Sequence, residues 1–129
     1  MKREIKFRGQ QVDNGEWIYG NYHHRAGGVK CIIRMEPDDN GKAVYIVYQV
    51  DPDTVGQFTG LLDKNGKEIY FDDIVRNKYG DIGCVIWFSD WSLRVDWGGG
   101  NIHFIDPEWG LEVIGNIHDN PELLHTKSE

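Results

Sequence analysis

The chain has 129 residues, a formal net charge of −7, 40% hydrophobic and 12% aromatic residues, which fits one ordinary domain or two very small β lobes and excludes a disordered chain. No apolar run approaches the roughly 18 residues of a membrane-crossing helix, and the basic start Met1-Lys2-Arg3 has no apolar stretch behind it, so a cytoplasmic protein is expected. All the negative excess falls in residues 54–129, with six Lys/Arg against thirteen Asp/Glu, while residues 1–53 hold eight of each; nucleic acid is disfavoured as a partner, because phosphate contacts need a basic track.

The first ten residues alternate Ile5 and Phe7 with Lys6 and Arg8, the pattern of a half-buried strand. Asp13-Asn14-Gly15 is a turn, and Trp17 to Tyr22 returns as a strand in which Gly20 marks a bulge or close packing. His23 and His24 are neighbours on an extended chain and point to opposite faces, which is poor geometry for a shared metal. Val29 to Met35 is a third strand. The acidic stretch Glu36 to Gly41 turns it back, without the alternating carboxylates and closing Glu of a calcium loop. Ala43 to Val50 is a fourth strand, apolar or aromatic on both faces. A lobe of this size has little core with which to cover both, so Tyr45 and Val47 are candidates for self-association, and a homo-oligomer is expected. The alternative is a lobe that curls until it buries both faces itself. Asp51-Pro52-Asp53 ends the strand and sets the expected lobe boundary, 1–53 against 54–125, with a polar tail at 126–129.

Thr54 to Arg76 reads TVGQFTGLLDKNGKEIYFDDIVR. Its apolar run is followed by Asn65-Gly66, a strong hairpin signal that predicts a type I′ turn with positive φ at both residues. Asp73 to Arg76, the Gly80-Asp81-Ile82-Gly83 turn and Cys84 to Phe88 follow as strand, turn, strand, which looks like the opening of an SH3-like small barrel. Leu93 to Trp97 alternates cleanly, Gly98-Gly99-Gly100 turns it, Ile102 to Ile105 pairs back, and Trp109 to Ile117 is the last strand. Asn120-Pro121-Glu122 predicts one short C-terminal helical turn, the most helix expected anywhere. The fold class is therefore all-β: an N-terminal meander packed on an SH3-like barrel.

The segment Thr54 to Tyr70 also carries a family resemblance. TVGQFTGLLDKNGKEIY, followed by an acidic residue before Ile74-Val75, resembles the hallmark of the YopX family of phage and prophage proteins. Arg3 to Gly9, Gly15-Glu16-Trp17, Glu112 to Ile117 and Asn120 to Leu124 are similar to that family's opening and close. Asp72 departs from the pattern, standing where the family usually has Gly in Glu-Gly-Asp. The resemblance implies a small all-β phage or prophage protein and brings no catalytic residue with it.

Catalytic signatures are absent from the sequence: no Walker loop, GxGxxG, HExxH, GxSxG or CxxC occurs. Cys31 and Cys84 read as reduced, buried thiols without zinc-site spacing, so neither metal nor cofactor is expected. Ser89 and Ser92, with His103 on the next hairpin, form a weak candidate pair for a hydrolase, because loop serines are commonly turn formers. Asp72, Asp73, Asp81 and Asp96 are acid–base candidates only if the fold gathers them. The aromatic residues between Trp87 and Trp109 are the better candidates. Trp91 in its Ser-Asp-Trp-Ser loop, with Trp87, Trp97 and Phe104, is a candidate partner-binding groove, against the alternative that Trp87, Trp97 and Trp109 fill a core. The sequence thus points to a non-enzymatic binding or assembly protein with a protein partner, with a nucleic-acid-associated module second and a hydrolase third.

Overall fold

The computed structural model describes residues 5–87 and 92–125. Eleven strands run in chain order: β1 Phe7–Gln10, β2 Trp17–His24, β3 Lys30–Pro37, β4 Ala43–Gln49, β5 Gly56–Leu62, β6 Glu68–Tyr70, β7 Asp73–Arg76, β8 Ile82–Trp87, β9 Leu93–Asp96, β10 Ile102–Phe104 and β11 Glu112–Asn116. They form two sheets, ordered β4-β3-β2-β1-β5-β6 and β10-β9-β8-β7-β11, with antiparallel pairings. No α-helix occurs among the described residues, so the all-β expectation holds. The helical turns among the described residues number four rather than one: besides Pro121–His125, 3-10 turns form at Ala26–Gly28, Pro52–Thr54 and Pro107–Trp109. Two of these share one cause. Asp51 and Asp106 each accept a bond from the backbone N–H two residues on, and the Pro between presets φ for the turn. Trp109 therefore belongs to a turn closed by left-handed Gly110, not to the last strand.

The chain divides into two compact units between Phe58 and Thr59, within β5, where the sequence reading sets its boundary after Asp53. In the first unit, β1 to β4 are consecutive antiparallel neighbours, and Ile18, Ile32 and Val50 form the core with Phe7, Tyr22, Tyr48 and Val55 around them. Gly20 is a close-packing position rather than a bulge, since a Cβ there would lie 2.7 Å from the Ile33 carbonyl oxygen. The sheet curls back at one end. Val12 N–H donates to Gln49 O at 3.1 Å and Asp51 N–H to Gln10 O at 2.8 Å, so the end of β4 meets the residues after β1.

In the second unit, Ile69, Phe71, Val75, Val85, Val95 and Leu111 form the core, flanked by Leu93, Trp97, Ile105, Trp109 and Val113. Each such aliphatic side chain contributes about 1.5–3 kcal/mol when fully buried. Gly83 makes room for this packing, since a Cβ at that position would meet Trp97 at 2.8 Å. A register shift between Val113 and Gly115 lets β11 follow β7.

One hairpin design recurs three times. At Asp38–Lys42, Asp63–Lys67 and Asn77–Asp81 the first residue's carbonyl accepts from a Gly three residues on, and its N–H donates to the carbonyl four residues on. Its side-chain oxygen also accepts two backbone N–H bonds from inside the turn. Gly41, Gly66 and Gly80 all have positive φ, between 81° and 89°. This corrects the turn type expected at Asn65-Gly66. A type I′ turn needs positive φ at both residues, whereas Asn65 is not left-handed here; the Gly occupies the bulge position after a type I turn. The Asx bonds from Asp63 decide the difference, because they fold Lys64 and Asn65 into ordinary right-handed geometry.

Gly66 at φ 83° predicts that Gly66→Val lowers stability by about 1–2 kcal/mol, the strain of a β-branched residue in left-handed geometry, read in urea unfolding. Asp63 supports a second prediction. It is buried and also accepts Val113 N–H on Oδ2 at 2.9 Å. Burial would raise its pKa, but the bonds from Val113, Lys67 and Asn65 and the Lys67 charge outweigh that and hold it below the ordinary value. A depressed folded pKa adds stability above the unfolded value of about 3.9 that is lost as pH falls through the folded one. Asp63→Asn, which turns an amide donor toward either Val113 N–H or the turn, should cost about 1–3 kcal/mol at pH 7. The gap to the natural chain should narrow in urea melts as the pH is lowered from the unfolded value through the folded one.

Candidate interaction site

The β3–β4 ladder places two different faces on one strand. Its hydrogen-bonded pairs are fixed at both ends, by Asp38 N–H to Lys42 O at 2.8 Å and Val50 N–H to Lys30 O at 3.0 Å. Antiparallel alternation then makes Val44, Ile46 and Tyr48 bond inward to β3, while Ala43, Tyr45 and Val47 turn their backbone groups outward. On the even-numbered face, Tyr48 donates its hydroxyl to Glu36 at 2.6 Å, and Arg34 Nε lies 3.2 Å from the same carboxylate. That bond to Glu36 pushes the Tyr48 pKa up. On the odd-numbered face, Tyr45 stands opposite Met35 and Val47 opposite Ile33. Tyr45 is 71% exposed, Met35 58% and Val47 45%, an apolar strip without a charged group among them. Both strip candidates named from the sequence, Tyr45 and Val47, thus lie side by side on it.

The aromatic candidates of the second unit divide between two faces of their sheet. Trp97 packs edge-on against Trp109, ring centroids 5.4 Å apart, beside the core. Trp87 stacks on Phe71 at 4.3 Å while remaining 48% exposed. Trp87 pairs with Leu93 and Phe104 with Arg94, so Phe104 lies on the other face, under the Arg94 guanidinium at 3.9 Å. Trp91, with Phe88, Ser89 and Asp90, lies outside the described residues. Asn65 and Gly66 form the hairpin tip already described. Ser92 accepts a hydrogen bond from Arg94 Nε at 2.9 Å.

Of the acidic candidates, Asp72, Asp73 and Asp96 surround Cys84. Burial first, then these three carboxylates, push that thiol up to about 12, which keeps it protonated and unreactive at neutral pH. Asp73 is buried and accepts Tyr70 N–H at 2.8 Å. Asp81 belongs to the Asn77 turn. Among the described residues no group of three or more His, Cys, Asp or Glu is arranged to hold a metal ion. The sequence reading missed a cavity of about 250 Å³ in the second unit, lined by Leu61, Leu62, Ile69, Ile105, Pro107 and Leu111. Its sequence signal is the Leu61-Leu62 pair together with Asp106-Pro107, which sets the turn at its rim.

The family model described as YopX protein matches residues 6–125. The chain belongs to the YopX family. Its fold is similar to the crystal structure of protein EF1440 from Enterococcus faecalis, at 22% identity and a TM-score of 0.58, over 95% of this chain and 99% of that one. Among curated proteins none matches the sequence. Within this YopX-family chain, Asp72 is the one described non-glycine residue with positive φ, at 75°, a conformation for which glycine is the natural choice. Its backbone is held there by Asp72 N–H to Val85 O at 2.9 Å and Ile117 N–H to Asp72 O at 3.0 Å, and its carboxylate lies 3.2 Å from His118 Nε2.

Proposed function

We propose that this YopX-family chain is a non-enzymatic binding or assembly protein of a phage or prophage, acting as a homo-oligomer. The observation that carries the reading is the exposed strip of Met35, Tyr45 and Val47 on one face of adjoining strands. Large apolar side chains gathered on a surface mark sites that a partner covers. A protein partner fits them better than nucleic acid, since the strip itself holds no cation to meet phosphate and residues 54–129 bear six cations against thirteen carboxylates.

The second unit is read as an SH3-like module. Its strand order, β10-β9-β8-β7-β11, with the 3-10 turn Pro107–Trp109 before the last strand, is the order of such small barrels opened flat, and this supports the assignment. Trp87 is then the candidate rim for a peptide partner; Trp97 serves packing.

Sedimentation tests the assembly reading. The natural chain should run above monomer mass at tens of micromolar. Val47→Lys should shift it toward monomer with the thermal midpoint of the second unit unchanged, since it places a charge on the strip. A monomeric natural chain at that concentration contradicts the proposal. Firm retention on DNA near 150 mM salt, a condition that weakens simple phosphate contacts, would instead favour the nucleic-acid reading.

A further inference from the structure

We infer that two copies of the chain join edge to edge through β4, in antiparallel register centred on Tyr45, a reading that rests on the self-assembly proposed above and specifies its geometry. β4 is the terminal strand of its sheet, and Ala43, Tyr45 and Val47 direct their backbone groups away from β3. Natural edge strands are protected by charge, proline, bulges or shortness. Of the other terminal strands, β6 and β10 are short, three residues each, and the five-residue β11 carries Glu112 and a register irregularity between Val113 and Gly115. β4 has seven residues, Ala-Val-Tyr-Ile-Val-Tyr-Gln, without charge or proline.

The open part of that edge is limited. At its far end Gln49 O already accepts Val12 N–H, and Asp51 N–H is bonded to Gln10 O. Among the described residues the stretch left open is Ala43 to Val47, and Tyr45 is its midpoint. Antiparallel pairing of this stretch with itself sets Tyr45 against Tyr45 of the second copy and Ala43 against Val47. Each outward N–H and C=O then meets a partner, and the strips of Tyr45, Val47 and Met35 become continuous across the joint.

Charge does not oppose a second copy as the occupant. Residues 1–53 hold eight cations and eight anions, so two first units approach without net repulsion, whereas residues 54–129 carry the whole −7. A two-fold pairing also closes after two chains, as isologous contacts do.

Cross-linking tests the register. Under mild oxidation at tens of micromolar, Tyr45→Cys should give a disulfide-linked dimer, since directly opposed Cα atoms ~5.5 Å apart are within disulfide reach. Val47→Cys should give roughly tenfold less, because symmetry-related Val47 positions lie ~13 Å apart. The natural chain controls for Cys31 and Cys84. The double variant Ala43→Cys, Val47→Cys keeps Tyr45 and should cross-link strongly, which covers the case in which Tyr45→Cys weakens the dimer. If the natural chain sediments as a dimer but neither Tyr45→Cys nor the double variant cross-links above Val47→Cys, the edge pairing is wrong and self-assembly stands. A monomeric natural chain ends both.

Discussion

Asp63 is the constraint on which the second unit depends most. One buried carboxylate accepts the N–H groups of Asn65 and Lys67 on one oxygen and that of Val113 on the other. The first two bonds set the hairpin between β5 and β6; the third ties it to β11, far along the chain. Lys64 N–H reinforces the tie by donating to Leu111 O at 2.9 Å. Leu111 and Ile69 are thereby brought into one core, and the cavity bounded by Leu61, Ile105 and Pro107 opens beside that joint. Removing a buried acceptor with three donors around it leaves those donors unsatisfied, a cost several times larger than the net gain of an ordinary hydrogen bond.

The first unit meets its constraint differently. Its core is small, and the sheet gains burial by curling until Val50 sits over Gly9, with a Cβ at Gly9 only 3.0 Å from it. The curl covers the even-numbered face of β4 and occupies the far end of its edge. It leaves the odd-numbered face and the near part of the edge open. The alternative read from the sequence, a lobe that curls until it buries both faces of β4, is therefore met only halfway: curling completes the core and covers one face, and Tyr45, 71% exposed, stays in water on the other.

Strand positions were legible because apolar alternation is a local signal, and nearly every predicted strand appears within a residue or two of its place. The hairpin type at Asn65-Gly66 was not, because it is set by Asp63 two residues earlier, whose carboxylate captures the turn; the same Asp/Asn at the first position recurs at Asp38 and Asn77. The Pro52 and Pro107 turns were hidden for a related reason, since Asp-Pro reads equally as a strand end. Cys84 shows the limit for chemistry. A lone thiol in a strand gives no sign that burial, and after it the charges of three carboxylates, will hold it protonated. Trp87 and Phe104, close in sequence, fall on opposite faces because strand parity, not proximity along the chain, assigns sides.

The central claim, that β4 offers its outer edge to a second copy, is tested most directly by hydrogen exchange at single-amide resolution across a range of protein concentrations. Val44, Ile46 and Tyr48 donate inward and should be protected at every concentration. Tyr45 and Val47 should exchange fast in dilute protein and slow progressively as concentration rises. Fast exchange at Tyr45 and Val47 that does not change with concentration would contradict it.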